Sequence, residues 1–385
     1  MVDFDVAVMD SATPMNILCV IDSLSSGGAQ RQMVNLVRGF KSKGYDVEML
    51  IYYPQLNFFR PEVEKAGVPI HDVIKKKGFS FTVVAKLLSL IKSNRFSVII
   101  SFLDGPNIYC ELAKAISLSD INLIVSERGC CISSPSRIKR LPHLLANKVV
   151  ANSFSHGKWL ESSRFHKNKI QVIYNGYFIK NSFGKTQSST DGNFRFLVIG
   201  RIDEGKNGLR LIQALIEYHK KFDVLPKVSW IGAQPTDTKS LKVRKQMDKL
   251  LLQNPLVQSN WEWLGECSDV QDQLSSCDAL IHISLHEGLP NVVCEAFIAG
   301  KPVIASNVCE HPLLVEDGVR GFLCDHFSPT SISEIINRFV NLTSVERKQL
   351  GENARQYAEE NLTAERMVSD YESLFLDRAL ETQLS

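Results

Sequence analysis

Residues 279–306 constrain this chain more than any other stretch. Ala279–Ser284 is an apolar run of strand length and Pro302–Ser306 is a second, with a loop and a helix-forming segment between them. Pro290 suits the first helical position, where a missing N–H costs nothing, and Gly300 suits the exit, where a left-handed residue is wanted. The pattern is strand–loop–helix–strand, the repeating unit of a parallel α/β sheet. At about 100° per residue, Val292, Val293, Ala296 and Phe297 share one helical face, and Glu295 stands roughly 130° from its centre. Glu287 sits in the loop at the strand's carboxyl end. Two carboxylates therefore flank a helix N-terminus whose free N–H groups favour an anion. Open α/β sheets bind ligands at that edge. Taken without that setting, such a pair reads better as a solvated helix glutamate and a loop glutamate.

The rest of the chain repeats this alternation. Asn16–Asp22 reads as a strand, followed by Gly27 and Gly28 at the start of a helix that runs to Ser42. Paired glycines there let backbone approach a bound group, or form a plain strand-to-helix turn; the GxGxxG dinucleotide pattern is absent. Phe58–Lys77 reads as irregular, and Ser126-Glu127-Arg128 ends a further strand. Phe194–Ile199 is a strand that leads into Gly200, Arg201, Lys206 and Asn207, and Met367–Leu380 is a final amphipathic helix.

The chain has 385 residues, 44% hydrophobic and 22% charged, which is enough for two domains with separate cores. Met1–Pro14 reads as a leader and the polar Gly184–Gly192 as a linker, giving domains at 1–183 and 193–385. No apolar run approaches the ~18 residues of a membrane span. Nine cysteines without a CxxC pair point to a reducing, cytoplasmic setting. Residues 1–183 hold 23 Lys and Arg against 14 Asp and Glu, whereas residues 184–385 hold 21 against 28. This asymmetry suggests different partners for the halves. Lys75, Lys76 and Lys77 beside Phe79 and Phe81, and Arg137, Lys139 and Arg140, are the densest basic sites. They predict a lean on an anionic membrane surface, against the plainer reading of solvated loops. No nucleic-acid partner is expected.

Glu287, Gly288, Pro290, Glu295, Gly300, Pro302, Val303 and Ile304 resemble the donor-binding signature of retaining glycosyltransferases of family 4. The resemblance spans Met15 to about Asp377. It implies the GT-B fold: α/β, with two Rossmann-like doubly wound domains facing across a cleft and the final helix crossing back to the first. It implies transfer of a sugar, with retention, from a nucleotide-sugar, with UDP as the expected nucleotide, to a hydroxyl of a glycan or polyprenyl-diphosphate-linked acceptor. Arg201 and Lys206 would hold the donor diphosphate, Glu287 the sugar hydroxyls and Glu295 the ribose. Gly27, Gly28, Gly288, Leu289, Pro290 and Asn291 would line the donor site. The Ser-Glu-Arg variant resembles a subset acting on bacterial surface polysaccharides, so Glu127 and Arg128 are candidates for acceptor or sugar contact. Many members carry a histidine near that point; here the nearest, His143 and His156, lie on other elements.

Diphosphate gains charge as it leaves, and two cations with a helix N-terminus can stabilise it without a metal. No metal or other cofactor is expected; the only Asp-x-Asp, Asp3-Phe4-Asp5, lies in the leader. The fit loosens at Asn307–His311, which lacks the family's paired glycines, and at Leu313, where a glutamate is expected. Nucleotide-sugar epimerases of the same fold, or a nucleotide-binding module without turnover, share this donor logic. The fate of a UDP-sugar separates the three.

Overall fold

The computed structural model describes residues 15–93, 95–129, 143–162, 168–179, 194–222, 224–267 and 269–383. The expected leader, the linker, and Arg137, Lys139 and Arg140 lie outside these residues. The chain forms two compact units. One comprises the described residues up to 128, then 143–178 and 364–383; the other comprises the described residues from 179 to 363.

In chain order the first unit holds β1 (Asn16–Val20), α1 (Gly28–Ser42), β2 (Asp46–Ile51), α2 (Arg60–Lys65), β3 (Ile70–Asp72), α3 (Phe81–Lys92), β4 (Val98–Phe102), α4 (Asp104–Ser117), β5 (Asn122–Glu127), β6 (Lys148–Ala151), α5 (Phe154–Glu161) and β7 (Ile170–Val172). The seven strands lie in the order β3-β2-β1-β4-β5-β6-β7, and every recorded pairing is parallel. Runs such as Val98–Phe102 are buried along their whole length, as befits strands covered by helices on both faces. The stretch from Phe58 to Lys77 is not wholly irregular: it holds α2 and β3. Both are too short to carry a readable hydrophobic period.

The second unit holds β8 (Arg195–Ile199), α6 (Gly208–Lys221), β9 (Lys227–Ile231), α7 (Thr238–Leu252), α8 (Pro255–Ser259), β10 (Trp261–Gly265), α9 (Val270–Ser276), β11 (Ala279–His282), α10 (Asn291–Ile298), β12 (Val303–Ser306), α11 (His311–Val315), β13 (Gly321–Cys324), α12 (Pro329–Val340) and α13 (Ser344–Asn361). Its six parallel strands run β10-β9-β8-β11-β12-β13. The expected strand–helix–strand unit is β11–α10–β12. Gly300 takes φ +66° at the helix exit, a conformation that a side chain would strain. Pro290 sits one residue earlier than expected, as an extended N-cap at φ −76° and ψ 102°.

The last helix, α14 (Ala364–Gln383), belongs to the first unit. Val368 fills the notch above Gly39 of α1, Phe375 packs on Phe40 with ring centroids 6.0 Å apart, and Lys43 pairs with Glu372 at 2.6 Å. The two units thus have separate buried cores, and α14 contributes Tyr371 and Phe375 to the first.

Candidate active site

In the second sheet the strand order reverses between β8 and β11. The loops that follow their carboxyl ends are where a doubly wound sheet binds ligands. One is Gly200–Asn207 and the other runs from Ile283 to Pro290. Asn207 locks them together: at φ +60° its Nδ2 donates to the Ile283 carbonyl (3.2 Å) and to the His326 carbonyl (2.8 Å). The Leu285 N–H donates to the Gly205 carbonyl at 2.8 Å. Asp203 caps the short turn Glu204–Lys206, accepting from the Lys206 N–H at 3.1 Å. Gly200 lets the Lys206 stem cross the loop, since a Cβ there would sit 3.0 Å from Lys206 Cε.

These constraints bring Lys206 Nζ onto Glu287 Oε1 as an ion pair, with about four-fifths of each side chain out of solvent. His282, at the end of β11, is 2% exposed and donates from Nε2 to the same Glu287 oxygen at 3.1 Å. That nitrogen faces a carboxylate, so it carries the proton. Burial alone would raise the Glu287 pKa, but the contacts from His282 and Lys206 outweigh it and hold the carboxyl well below its usual range. Burial first, and the Lys206 charge second, push His282 down, so its ring is neutral. His311 lies edge-to-face against His282, ring centroids 5.2 Å apart. Burial and the neighbouring His282 push its pKa down to about 3. Its Nδ1–H donates to the Ser306 carbonyl at 2.9 Å.

The remaining donor-site candidates surround this pair. Gly288, Leu289 and Pro290 form the approach to α10, and Asn291 is its first residue. Leu289 and Pro290 are buried, whereas Glu295 is partly exposed one turn further on. Arg201 is not drawn in: its side chain is 85% exposed and meets only the Asp203 carboxylate, at 3.2 Å, among the recorded ion pairs of the described residues. After β12, Cys309 takes φ +50°, so the turn keeps a left-handed residue although the expected glycines are absent. Two hollows, of about 480 and 680 Å³, open at the other, amino-terminal edge of this sheet, around Arg195 and Lys227 and around Lys301 and Arg355. Neither includes a predicted site residue.

The first unit has its own charged cluster. Glu127, at the end of β5, accepts from His143 Nε2 at 2.7 Å, and Glu111 of α4 accepts from His143 Nδ1 at 3.1 Å. A ring between two carboxylates carries both protons, and its pKa rises to about 9 despite burial. His156 Nε2 stands 3.9 Å from the other Glu127 oxygen. Burial would raise the Glu127 pKa, yet the two histidines hold it at about 2. Arg128 is tied inward: Nε donates to Ser126 Oγ (3.0 Å), Nη1 to Asn175 Oδ1 and Nη2 to Tyr371 (3.3 Å), with the guanidinium 3.7 Å above the Phe102 ring. Gly27 is the N-cap of α1 and Gly28 its first residue. A Cβ on Gly27 would meet the end of the Gln30 side chain, whose Nε2 donates to Asp22 at 2.9 Å.

Sequence reasoning missed His282, His311 and the structural task of Asn207. The histidine beside Glu127 is His143, which reaches it in space from the residues before β6 and not along its own strand.

Residues 26–179 match the family model Glycosyltransferase Family 4, and residues 180–357 match Glycosyl transferases group 1. The chain is 22% identical over 357 residues to the N-acetyl-alpha-D-glucosaminyl L-malate synthase of Bacillus anthracis, covering 88% of each. It is 24% identical over 353 residues to a Campylobacter jejuni alpha-1,4-N-acetyl-D-galactosaminyltransferase acting on an undecaprenol-diphosphate-linked glycan, covering 89% of this chain and 93% of that one. Among solved structures, Anabaena HepE in complex with UDP superposes with a TM-score of 0.78 at 20% identity, covering 94% of this chain and all of the other. With two doubly wound sheets, and family models that together span residues 26–357, the chain belongs to the group 1, family 4 glycosyltransferases of the GT-B fold.

Proposed function

We propose that the protein moves a sugar from a UDP-sugar to a hydroxyl of a glycan or polyprenyl-diphosphate-linked acceptor, with retention, in surface-polysaccharide synthesis. The observation that carries this reading is the Lys206–Glu287–His282 constellation at the reversal point of the second sheet. The UDP complex of HepE and the lipid-linked glycan of the Campylobacter enzyme support the choice of donor and acceptor class. In this mechanism the bond from C1 to the diphosphate oxygen breaks as the acceptor oxygen bonds C1 on the same face. The acceptor's proton passes to the departing phosphate. Lys206 and the α10 N-terminus meet the charge that develops on that phosphate. Glu287, ionised and fixed, holds sugar hydroxyls, while Glu295 reads the ribose. Arg201 swings in from solvent to the diphosphate. Glu127 and Arg128 lie on the acceptor side.

Glu295→Ala is expected to weaken UDP itself by about ten- to a hundredfold, the effect of losing one hydrogen bond to a charged group, ~1.5–3 kcal/mol. Glu287→Ala should leave UDP affinity near wild type and impair sugar-dependent turnover. Calorimetry with UDP tests this division; equal losses in both variants contradict it. Activity should also survive EDTA, because cations and backbone amides supply the counter-charge. Loss on chelation, restored by magnesium, would overturn the metal-free mechanism.

The acceptor class brings the first unit near a membrane. Ile74 (77% exposed), Phe79 (50%) and Phe81 (81%) flank Lys75, Lys76 and Lys77. Each basic residue at an anionic surface contributes about 1 kcal/mol. Co-sedimentation with anionic liposomes at low salt is expected, falling as salt rises and when the three lysines become glutamate. No binding at low salt contradicts the membrane contact.

A further inference from the structure

Glu287 rests on two partners that a donor would treat differently. Lys206 and His282 both contact Oε1, and among the described residues no hydrogen bond or ion pair is recorded to Oε2, the oxygen that a ligand hydroxyl would take. Lys206 pairs with Glu287 on the loop that leads to α10, whose N-terminus would face the diphosphate, and a flexible ammonium can follow that charge. His282 cannot follow it. Its ring is buried, Ser284 Oγ stands 3.3 Å from Nε2, and His311 closes its flank. His311 is pinned by its bond to the Ser306 carbonyl, and Ser306 Oγ donates to the Ser284 carbonyl at 2.7 Å.

We propose that His282 is the positioning residue of the sugar site: as the diphosphate draws Lys206 away, His282 Nε2–H keeps Glu287 Oε1 in place so that Oε2 can take a sugar hydroxyl. The Lys206–Glu287 pair is then the resting arrangement, and the donor exchanges it for a Lys206–phosphate pair. The charged and titratable groups at this point are Lys206, Glu287, His282 and His311. The inference rests on the donor reading above and assigns a task to a histidine that the signature motif does not include.

The test compares two amides of similar polarity. In His282→Gln the side-chain amide falls near the imidazole Nε2 and can donate to Glu287. In His282→Asn it falls near Nδ1 and cannot reach. Wild type and both variants are titrated with UDP by calorimetry. Turnover is then followed as UDP release from whichever of UDP-glucose, UDP-galactose, UDP-N-acetylglucosamine and UDP-N-acetylgalactosamine the wild type consumes fastest. His282→Asn should bind UDP within about twofold of wild type yet lose about tenfold or more in kcat, the effect of one hydrogen bond to a charged group, while His282→Gln stays within about threefold. Equal turnover in the two amide variants overturns the proposal, and so does a parallel fall in UDP affinity, which marks His282 as merely structural. Failure of the donor reading shows separately, as wild type that neither binds UDP nor consumes any of the four donors.

Discussion

Lys206→Ala is expected to lower turnover by about a hundred- to a thousandfold, the ~2.7–4 kcal/mol that one preorganised electrostatic partner contributes in a water-poor site. Lys206 is held in place before any donor arrives. Asp203 caps its turn, Asn207 locks that turn to the following loop, and Gly200 clears a path for its stem. Its backbone is therefore already fixed when the donor binds, and only the ammonium has to turn from Glu287 to the phosphate. Arg201 is not held in this way: it is mostly exposed and screened by water, so Arg201→Ala should cost within about tenfold. Steady-state kinetics on the two variants, with folding checked by circular dichroism, decide the ranking. Turnover at the wild-type level in Lys206→Ala would remove this residue from the mechanism.

His143→Leu should destabilise the first unit by about 3–5 kcal/mol, because it strips the shared cation from two buried carboxylates. The pH dependence has a definite sign. His143 gains a proton partner on folding, so its stabilisation is complete below about 6.5 and fades as pH rises through about 9. Glu127 runs the other way: its contribution is present above about 4.5 and is lost as pH falls towards about 2. The gap between wild type and His143→Leu in urea unfolding should therefore be widest between about pH 4.5 and 6.5, shrink as pH rises from there, and close above about pH 9. A gap under about 1 kcal/mol at pH 7 would mean that the charges are compensated elsewhere. Held at about 2, Glu127 is too acidic to serve as a general base, which fits a proposed role of orienting a hydroxyl rather than deprotonating it.

The β11–α10–β12 unit was legible because its signals are local: an apolar run, a proline before the helix, a glycine at the exit, and an eight-residue step between two glutamates. The contacts that give those glutamates their electrostatics were not legible, because they join distant positions. Lys206 and Glu287 are 81 residues apart, and Arg128 reaches Tyr371 across 243. A single sequence marks each as charged without saying which charge it meets. The histidine beside Glu127 shows the same limit, since it arrives from the neighbouring strand's approach, 16 residues later. Short elements such as β3 escaped for another reason, being too short to show an alternation of apolar and polar residues. At Cys309 the residue type misleads: a left-handed turn persists without the glycine that would announce it.

The most direct test of the account follows UDP-sugars by phosphorus NMR with wild type and Lys206→Ala. The diphosphate is a diester while the sugar is attached and becomes a terminal phosphate once the bond to C1 breaks. The account predicts that wild type converts at least one of the four UDP-hexoses to free UDP, slowly with water alone as acceptor, and that Lys206→Ala does so about a hundredfold or more slowly. Conversion to a different, intact UDP-sugar would identify an isomerase instead, and a donor that binds but stays unchanged would identify a nucleotide-binding module; either result contradicts the assignment of Lys206 and Glu287 to sugar transfer.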